Sequence, residues 1–277
     1  MVLGSFFYAM IYVVVRGLSD TFEVSQIVFF RAVLGAFFMI PWLLSAGLAA
    51  LRTAKISLYL WRMIFSYLGA LAWMYGISGM PLAEANALMF TLPLFTILMA
   101  AFWLSENIGF HRIAATVVGF IGALIILRPG IIEVSAAALS TLGAAALFSA
   151  ALIGTKKLAA TENANAMVFY LYSLMIPFAA IGALHGWVAP AIADIPLLLA
   201  LGICTVGAQQ SQTRAFKVAP ASLVVIINYI QLPFIALLAW LFFRQSTDIW
   251  TWIGAAVICI STYFLAKLER SSEKPKC

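Results

Sequence analysis

The sequence predicts an all-α integral membrane protein of ten transmembrane helices, built as two inverted five-helix repeats, and three observations carry that fold class. Of the 277 residues, 65% are hydrophobic and only 9% charged, too little polar surface to coat a soluble globule. The apolar blocks recur: Leu92-Pro93-Leu94-Phe95 returns 140 residues later as Leu232-Pro233-Phe234-Ile235, Val28-Phe29-Phe30 as Val168-Phe169-Tyr170, and Arg16-Gly17-Leu18 as Lys156-Lys157-Leu158, with Pro81 returning one residue early as Pro220. Basic residues, finally, gather on alternate connections. A module with an odd number of spans must enter the bilayer the second time from the opposite side.

At roughly 17–25 apolar residues per crossing, the first repeat, residues 1–132, holds spans near 2–17, 24–45, 57–78, 82–104 and 112–128. The second, residues 133–268, holds spans near 136–155, 166–184, 196–214, 221–243 and 249–267, and residues 269–277 form a cytoplasmic tail. Span 1 is short and lacks a basic leader, which argues against a cleaved signal peptide. Span 2 carries Arg31, and span 3 ends in Trp73 and Tyr75. Span 4 opens at Pro81, contains Pro93 and closes at Glu106. Span 5 repeats small residues, Ala115, Gly119 and Ala123, at the spacing that lets helix backbones approach closely. Pro129 to Ser135 divides the halves. Spans 6 and 7 carry the recurring blocks, span 8 the run Gln209-Gln210-Ser211-Gln212-Thr213, and span 9 the residues Asn228, Tyr229, Gln231 and Pro233. Span 10 leads into the basic tail.

Lys and Arg accumulate at cytoplasmic helix ends. The connections after spans 2, 4, 6 and 8 and the tail hold Arg52, Lys55, Arg62, Arg112, Lys156, Lys157, Arg214, Lys217, Lys267, Arg270, Lys274 and Lys276, against Arg16, Arg128 and Arg244 on the other side. Both termini are therefore expected in the cytoplasm, with the chain a multi-pass protein of the inner membrane. The net charge of +6 is this orientation bias and not a nucleic-acid surface. The eight Trp residues lie toward span ends, where an aromatic belt sits at the membrane interface. Trp73, followed by Tyr75 near the outer end of span 3, is kept as a cavity candidate.

Pro93 and Pro233 stand at matching points inside spans 4 and 9. Each lacks the amide that would bond the carbonyl four residues earlier, so the carbonyls of Met89 and Tyr229 are released, and both prolines are hinge candidates. Uncharged hydrogen-bonding residues need a reason inside lipid. Gln209 and Gln212 share one helix face, Asn228 and Gln231 another, and each pair can point into a bundle interior. Together with Asn86 and the aromatic residues Tyr8, Tyr12, Phe90 and Tyr229, they outline a polar cavity for a small solute with both apolar and hydrogen-bonding parts. Interhelical glue is the alternative for any one of them. Arg31 and Glu84 lie at similar depth from the outer surface, which makes a gate or ion pair one reading; snorkelling of Arg31 to the interface and recognition of a substrate carboxylate are the others.

Several chemistries are excluded. No phosphate-binding loop, H-E-x-x-H, G-x-S-x-G or paired acidic motif occurs, and His111 and His185 are isolated. Cys204 and Cys259 fall inside spans and Cys277 ends the tail, so neither a disulfide framework nor metal-ligand spacing is present. No cofactor, no metal and no enzymatic activity are expected.

These residues resemble the drug/metabolite transporter superfamily, specifically proteins with two EamA-type halves. The similarity spans nearly the whole chain. It rests on Phe29-Phe30-Arg31, on Pro81-Leu82-Ala83-Glu84-Ala85 leading to Pro93 and Glu106, on Gly119-Phe120-Ile121-Gly122 and Arg128-Pro129-Gly130, and on Pro220-Ala221-Ser222 leading to Tyr229-Ile230-Gln231-Leu232-Pro233. The acidic residue that usually closes the second-half motif is replaced by Arg244-Gln245-Ser246, so no carboxylate role carries over there. The resemblance implies a ten-helix inner-membrane secondary transporter with a central cavity between the halves, alternately open to each side. Amino acid export or exchange is the expected activity. Uptake of a larger metabolite such as S-adenosylmethionine or riboflavin is the alternative, and a membrane-embedded enzyme acting on a lipid-linked substrate is the rival from another class. The implied partners are a small-molecule substrate and the lipid bilayer, with no nucleic acid, and the oligomeric state is left open, a monomer included.

Overall fold

In a computed structural model the described residues are 2–104, 110–128, 135–218 and 231–272, and their regular structure is helical throughout. We label the helices α1 (Val2–Leu18), α2 (Val24–Phe37), α3 (Ile40–Ala46), α4 (Ile56–Gly79), α5 (Leu82–Met89), α6 (Leu92–Leu104), α7 (Phe110–Leu127), α8 (Ala136–Ala159), α9 (Ala164–Ala183), α10 (Ile195–Val218), α11 (Gln231–Phe243) and α12 (Ile249–Ser272). Short 3-10 turns precede α4 and α10. Five stretches are long and apolar enough to cross a bilayer: Val24–Ala46, Ile56–Gly79, Ala136–Ala159, Ala164–Ala183 and Ile192–Ala215. The other predicted spans correspond to shorter apolar helices, among them Leu3–Leu18, Leu82–Thr96 and Gln231–Phe243. Predicted positions 105–109, 129–134 and 221–230 lie outside the described residues, and with them Glu106, Asn228 and Tyr229.

Local chemistry explains where the helices bend and stop. Span 2 breaks at Phe38–Met39, with Pro41 seated in the first turn of α3, where its missing N–H costs nothing. Span 4 breaks at Phe90–Thr91, just ahead of Pro93. There the amides of Phe90 and Thr91 tighten onto Ala87 and Leu88 (3.2 and 3.0 Å), and the Thr91 hydroxyl also donates to the Leu88 carbonyl (2.7 Å). Ser135 and Asn163 cap α8 and α9 by accepting from Ala138 and Asn165 amides (3.1 and 2.8 Å). The guanidinium of Arg16 donates to the carbonyls of Ile77 (2.8 Å) and Ser78, satisfying the last turn of α4. Arg128 and Arg244, at φ 45° and 55°, end α7 and α11 in the left-handed region.

Every extensive helix pairing joins the first half of the chain to the second: α4 with α8, α7 with α12, α2 with α9 and α1 with α10. The pairings also come in matched sets under the 140-residue shift. The α4–α8 contact has its counterpart in α10–α1, α6–α8 in α11–α1, and α2–α10 in α9–α4, while α2–α9 and α7–α12 are their own counterparts. The two halves thus interleave as one bundle. Large apolar side chains such as Leu44, Ile181, Ile192 and Ile249 cover the outside, and buried polar groups collect within, the reverse of a soluble globule. Small residues set the closest approach: a Cβ on Gly122 would stand 2.8 Å from the Gly254 carbonyl oxygen, and one on Gly254 2.6 Å from the Gly122 carbonyl oxygen. These contacts make α7 and α12 a backbone-to-backbone seam.

Candidate functional site

The described residues enclose a central cavity with about 1140 Å³ of empty space, part of it continuous with solvent. It is lined by seven of the helices and by the α5–α6 break, and helical spacing decides which side chains reach it. Tyr8 and Tyr12 come from one face of α1, Arg62, Ser66 and Trp73 from one face of α4, and Phe148, Leu152 and Thr155 from one face of α8. Arg31 enters from α2, Leu171, Tyr172 and Met175 from α9, Gln209 and Gln212 from α10, and Gln231 from α11. The break between α5 and α6 contributes Asn86, Met89, Phe90 and Pro93, so the interrupted helix opens directly onto the cavity.

Polar contacts tie the wall together across the two halves. The Tyr8 hydroxyl donates to Gln212 Oε1 (2.7 Å). Trp73 meets Tyr12 edge-on, with centroids 5.0 Å apart, and Phe148 at 6.4 Å. The Arg31 guanidinium lies 5.6 Å from the Trp73 ring centroid, a cation–π distance. Arg62 is buried and donates from Nη1 to the Met167 carbonyl (2.8 Å). Where α4 and α9 begin, Tyr59 donates to Glu162 Oε2 (3.1 Å) and packs at a tilt against Tyr170 (centroids 4.5 Å apart), whose hydroxyl donates to the Leu51 carbonyl (2.6 Å). At the opposite end the buried Gln26 amide pairs twice with the Val188 backbone (2.5 and 3.2 Å), beside Trp187 packed on Phe29 and Phe30.

Of the residues singled out from the sequence, Tyr8, Tyr12, Trp73, Asn86, Phe90, Gln209, Gln212, Gln231, Arg31 and Pro93 line this cavity. Others do not. Tyr75 is 49% exposed and points outward, because two residues along a helix turn the side chain about 200° away from Trp73. Pro233 is exposed on α11 and not in the cavity wall. Arg31 and Glu84 form no ion pair. Glu84 sits in the first turn of α5, which packs chiefly on α8, α11 and α12, whereas α2 packs on α9, α10 and α4. Its nearest charges are Arg128 and Asp248, themselves joined in the one ion pair among the described residues. Equal depth in the bundle did not make the two helices neighbours.

Arg62 and Tyr172 are among the wall residues that sequence reasoning missed. Arg62 was counted among the basic cytoplasmic ends, although it stands six residues inside α4, beyond Arg52 and Lys55; that extra depth was the available signal. Tyr172, fully buried in α9, reads in sequence as one more apolar-face aromatic and carries no distinguishing mark.

A profile of the EamA-like transporter family matches this sequence twice, over residues 1–128 and 135–267. A riboflavin transporter of Rhizobium johnstonii is 33% identical over 277 residues, 99% of this chain and 92% of that protein. An S-adenosylmethionine uptake transporter of Rickettsia prowazekii is 29% identical over 251 residues, 91% of this chain and 85% of that protein. A crystal structure 16% identical in sequence superposes with a TM-score of 0.68 over 98% of both chains, a likeness of fold.

Proposed function

Because the chain belongs to the EamA-like transporter family, and is a multi-pass membrane carrier and not an enzyme, we propose that it takes up a flat, ring-bearing metabolite of the riboflavin kind by alternating access of the central cavity. The carrying observation is the cavity itself. Its wall alternates aromatic faces (Tyr12, Trp73, Phe90, Phe148) with hydrogen-bonding groups (Tyr8, Asn86, Gln209, Gln212, Gln231), the lining expected of a site for an organic ligand. Aromatic walls grip a fused-ring system, and amides and hydroxyls match its heteroatoms. The amino acid expectation gives way here, because the relatives are named for riboflavin and S-adenosylmethionine.

Between the two named cargoes the electrostatics favour a flavin. S-adenosylmethionine bears a permanent sulfonium charge, and Arg31 and Arg62 would repel a cation in the same cavity. Arg31 also occupies the Trp73 face that a cation would otherwise use.

The alternating mechanism follows from the pairing symmetry. Residues 1–132 and 133–268 act as inverted five-span units, ten crossings in all, with both termini and the 269–277 tail in the cytoplasm of a cell with an inner membrane. The matched contacts under the 140-residue shift and the double family match support this division, as does the basic side of the charge distribution. Rocking one unit against the other would exchange which end is closed, and the α5–α6 break at Pro93 gives the wall a place to flex. The test is uptake of riboflavin, S-adenosylmethionine and a panel of amino acids into proteoliposomes containing the purified full chain. Saturable flavin uptake is expected; saturable movement of the other solutes with none of any flavin would overturn the reading.

A further inference from the structure

Arg31 Nε and Asn86 Nδ2 line the cavity buried without a hydrogen-bond partner, while beside them Trp73 Nε1 faces the Tyr12 hydroxyl and the Tyr172 hydroxyl faces Arg31 and Gln209. All four are donors or can act as one. A buried donor left unpaired is costly, so donors gathered on one cavity around Arg31 suit a ligand that only accepts. Three of them converge. Arg31 lies against Trp73, and Tyr172 is within electrostatic reach of Arg31 and Arg62.

The charge balance points the same way. The sequence has no Asp or Glu in residues 24–83, 85–105, 134–161, 163–193 or 195–247, which together span every wall segment after α1 except position 84 itself; α1 has none either. Glu84, the one acid within a wall helix, faces Arg128 and Asp248 instead. Two guanidiniums, buried to 5% and 3% exposure and permanently charged, thus share a cavity that no protein carboxylate neutralises. Uncompensated charge in a membrane interior is held where function requires it.

We propose that Arg31, with Trp73 Nε1 and Tyr172, binds an oxyanion carried by the cargo, a phosphate or a carboxylate, while the aromatic wall holds its ring system. Arg62, which enters from the opposite end of the bundle and already donates to Met167, supplies a second positive charge to the same cavity. The preferred cargo is accordingly an anionic relative of riboflavin and not riboflavin itself. This assignment rests on the carrier reading above, whose cargo it narrows.

The experiment uses the purified full chain in proteoliposomes with riboflavin, riboflavin 5′-phosphate and N3-carboxymethylriboflavin as cargoes. At least one anionic flavin should show a KM about tenfold or more below that of riboflavin, the scale of one charge-assisted hydrogen bond, and the two anions tell phosphate from carboxylate. Arg31→Gln should erase that preference, and Arg31→Lys, which keeps the charge but not the planar fork, should retain part of it. Riboflavin moved as well as or better than both anions overturns the oxyanion site and leaves the flavin carrier standing. If no flavin moves, the cargo proposal falls, and thermal unfolding in pyrophosphate against chloride at equal ionic strength decides the site separately. A stabilisation seen in the wild type and lost in Arg31→Gln supports the site; its absence overturns it.

Discussion

Replacing Gly254 with Ala tests whether the α7–α12 seam holds the halves together independently of the cavity. The added Cβ would stand 2.5 Å from Ile126 Cγ1 and 2.6 Å from the Gly122 carbonyl oxygen. Carbon atoms rest about 3.5–4.0 Å apart, so the helices must separate by about 1 Å. Ile126 is itself buried, at 5% exposure, and the carbonyl belongs to rigid backbone, so neither can yield cheaply. Overpacking of this kind costs about 1–3 kcal/mol, and separation also stretches the bond from the Ser261 hydroxyl to the Ala115 carbonyl. Against this, Ala in place of Gly within a helix gains about 0.5–1 kcal/mol. The net expectation is a loss of about 1–2 kcal/mol. Gly143 is the matched control, exposed on α8 with nothing within 4 Å of a new Cβ, where only the propensity gain operates. Thermal unfolding of the two purified variants in one detergent should rank Gly143→Ala at or above wild type and Gly254→Ala below it. No described residue of α7 or α12 lines the cavity, so the KM of Gly254→Ala should match wild type. Equal stability of the two variants, or a changed KM at unchanged stability, refutes the assignment of α7 and α12 to scaffold alone.

Trp73→Ala should weaken flavin affinity by about tenfold, given about 0.5–1.5 kcal/mol for an aromatic pair beyond its buried area, while Tyr75→Ala should leave the concentration dependence of uptake unchanged. A loss at Tyr75 equal to that at Trp73 would contradict the outward orientation of Tyr75. Tyr8→Phe removes the bond to Gln212 that ties α1 to α10 and should cost about 1 kcal/mol in unfolding free energy; an unshifted transition would show that the contact contributes nothing. Pro93→Ala should slow turnover more than it changes KM, because it restores an amide at the break beside the cavity, whereas Pro233→Ala, on an exposed face, should change turnover less. Equal slowing by both would return the two prolines to symmetric hinge roles.

Much of the architecture was legible in the residues alone because lipid imposes it. Only long apolar runs can cross, so composition located the helical segments, and Pro93 announced the break that structure places at Phe90–Thr91. The polar amides were recognisable for the same reason: Gln209, Gln212 and Asn86 are too costly in acyl chains to face outward. Tertiary structure decided the rest. Sequence spacing gives the angle between two residues on one helix, but not the rotation of that helix against its neighbours. Trp73 inward and Tyr75 outward, Arg62 in the cavity wall instead of at the membrane surface, and Glu84 beside Arg128 instead of Arg31 all follow from packing against α8, α9 and α12. Those choices depend on which helices become neighbours, an arrangement set by complementary surfaces far apart in the chain and so invisible to any local pattern.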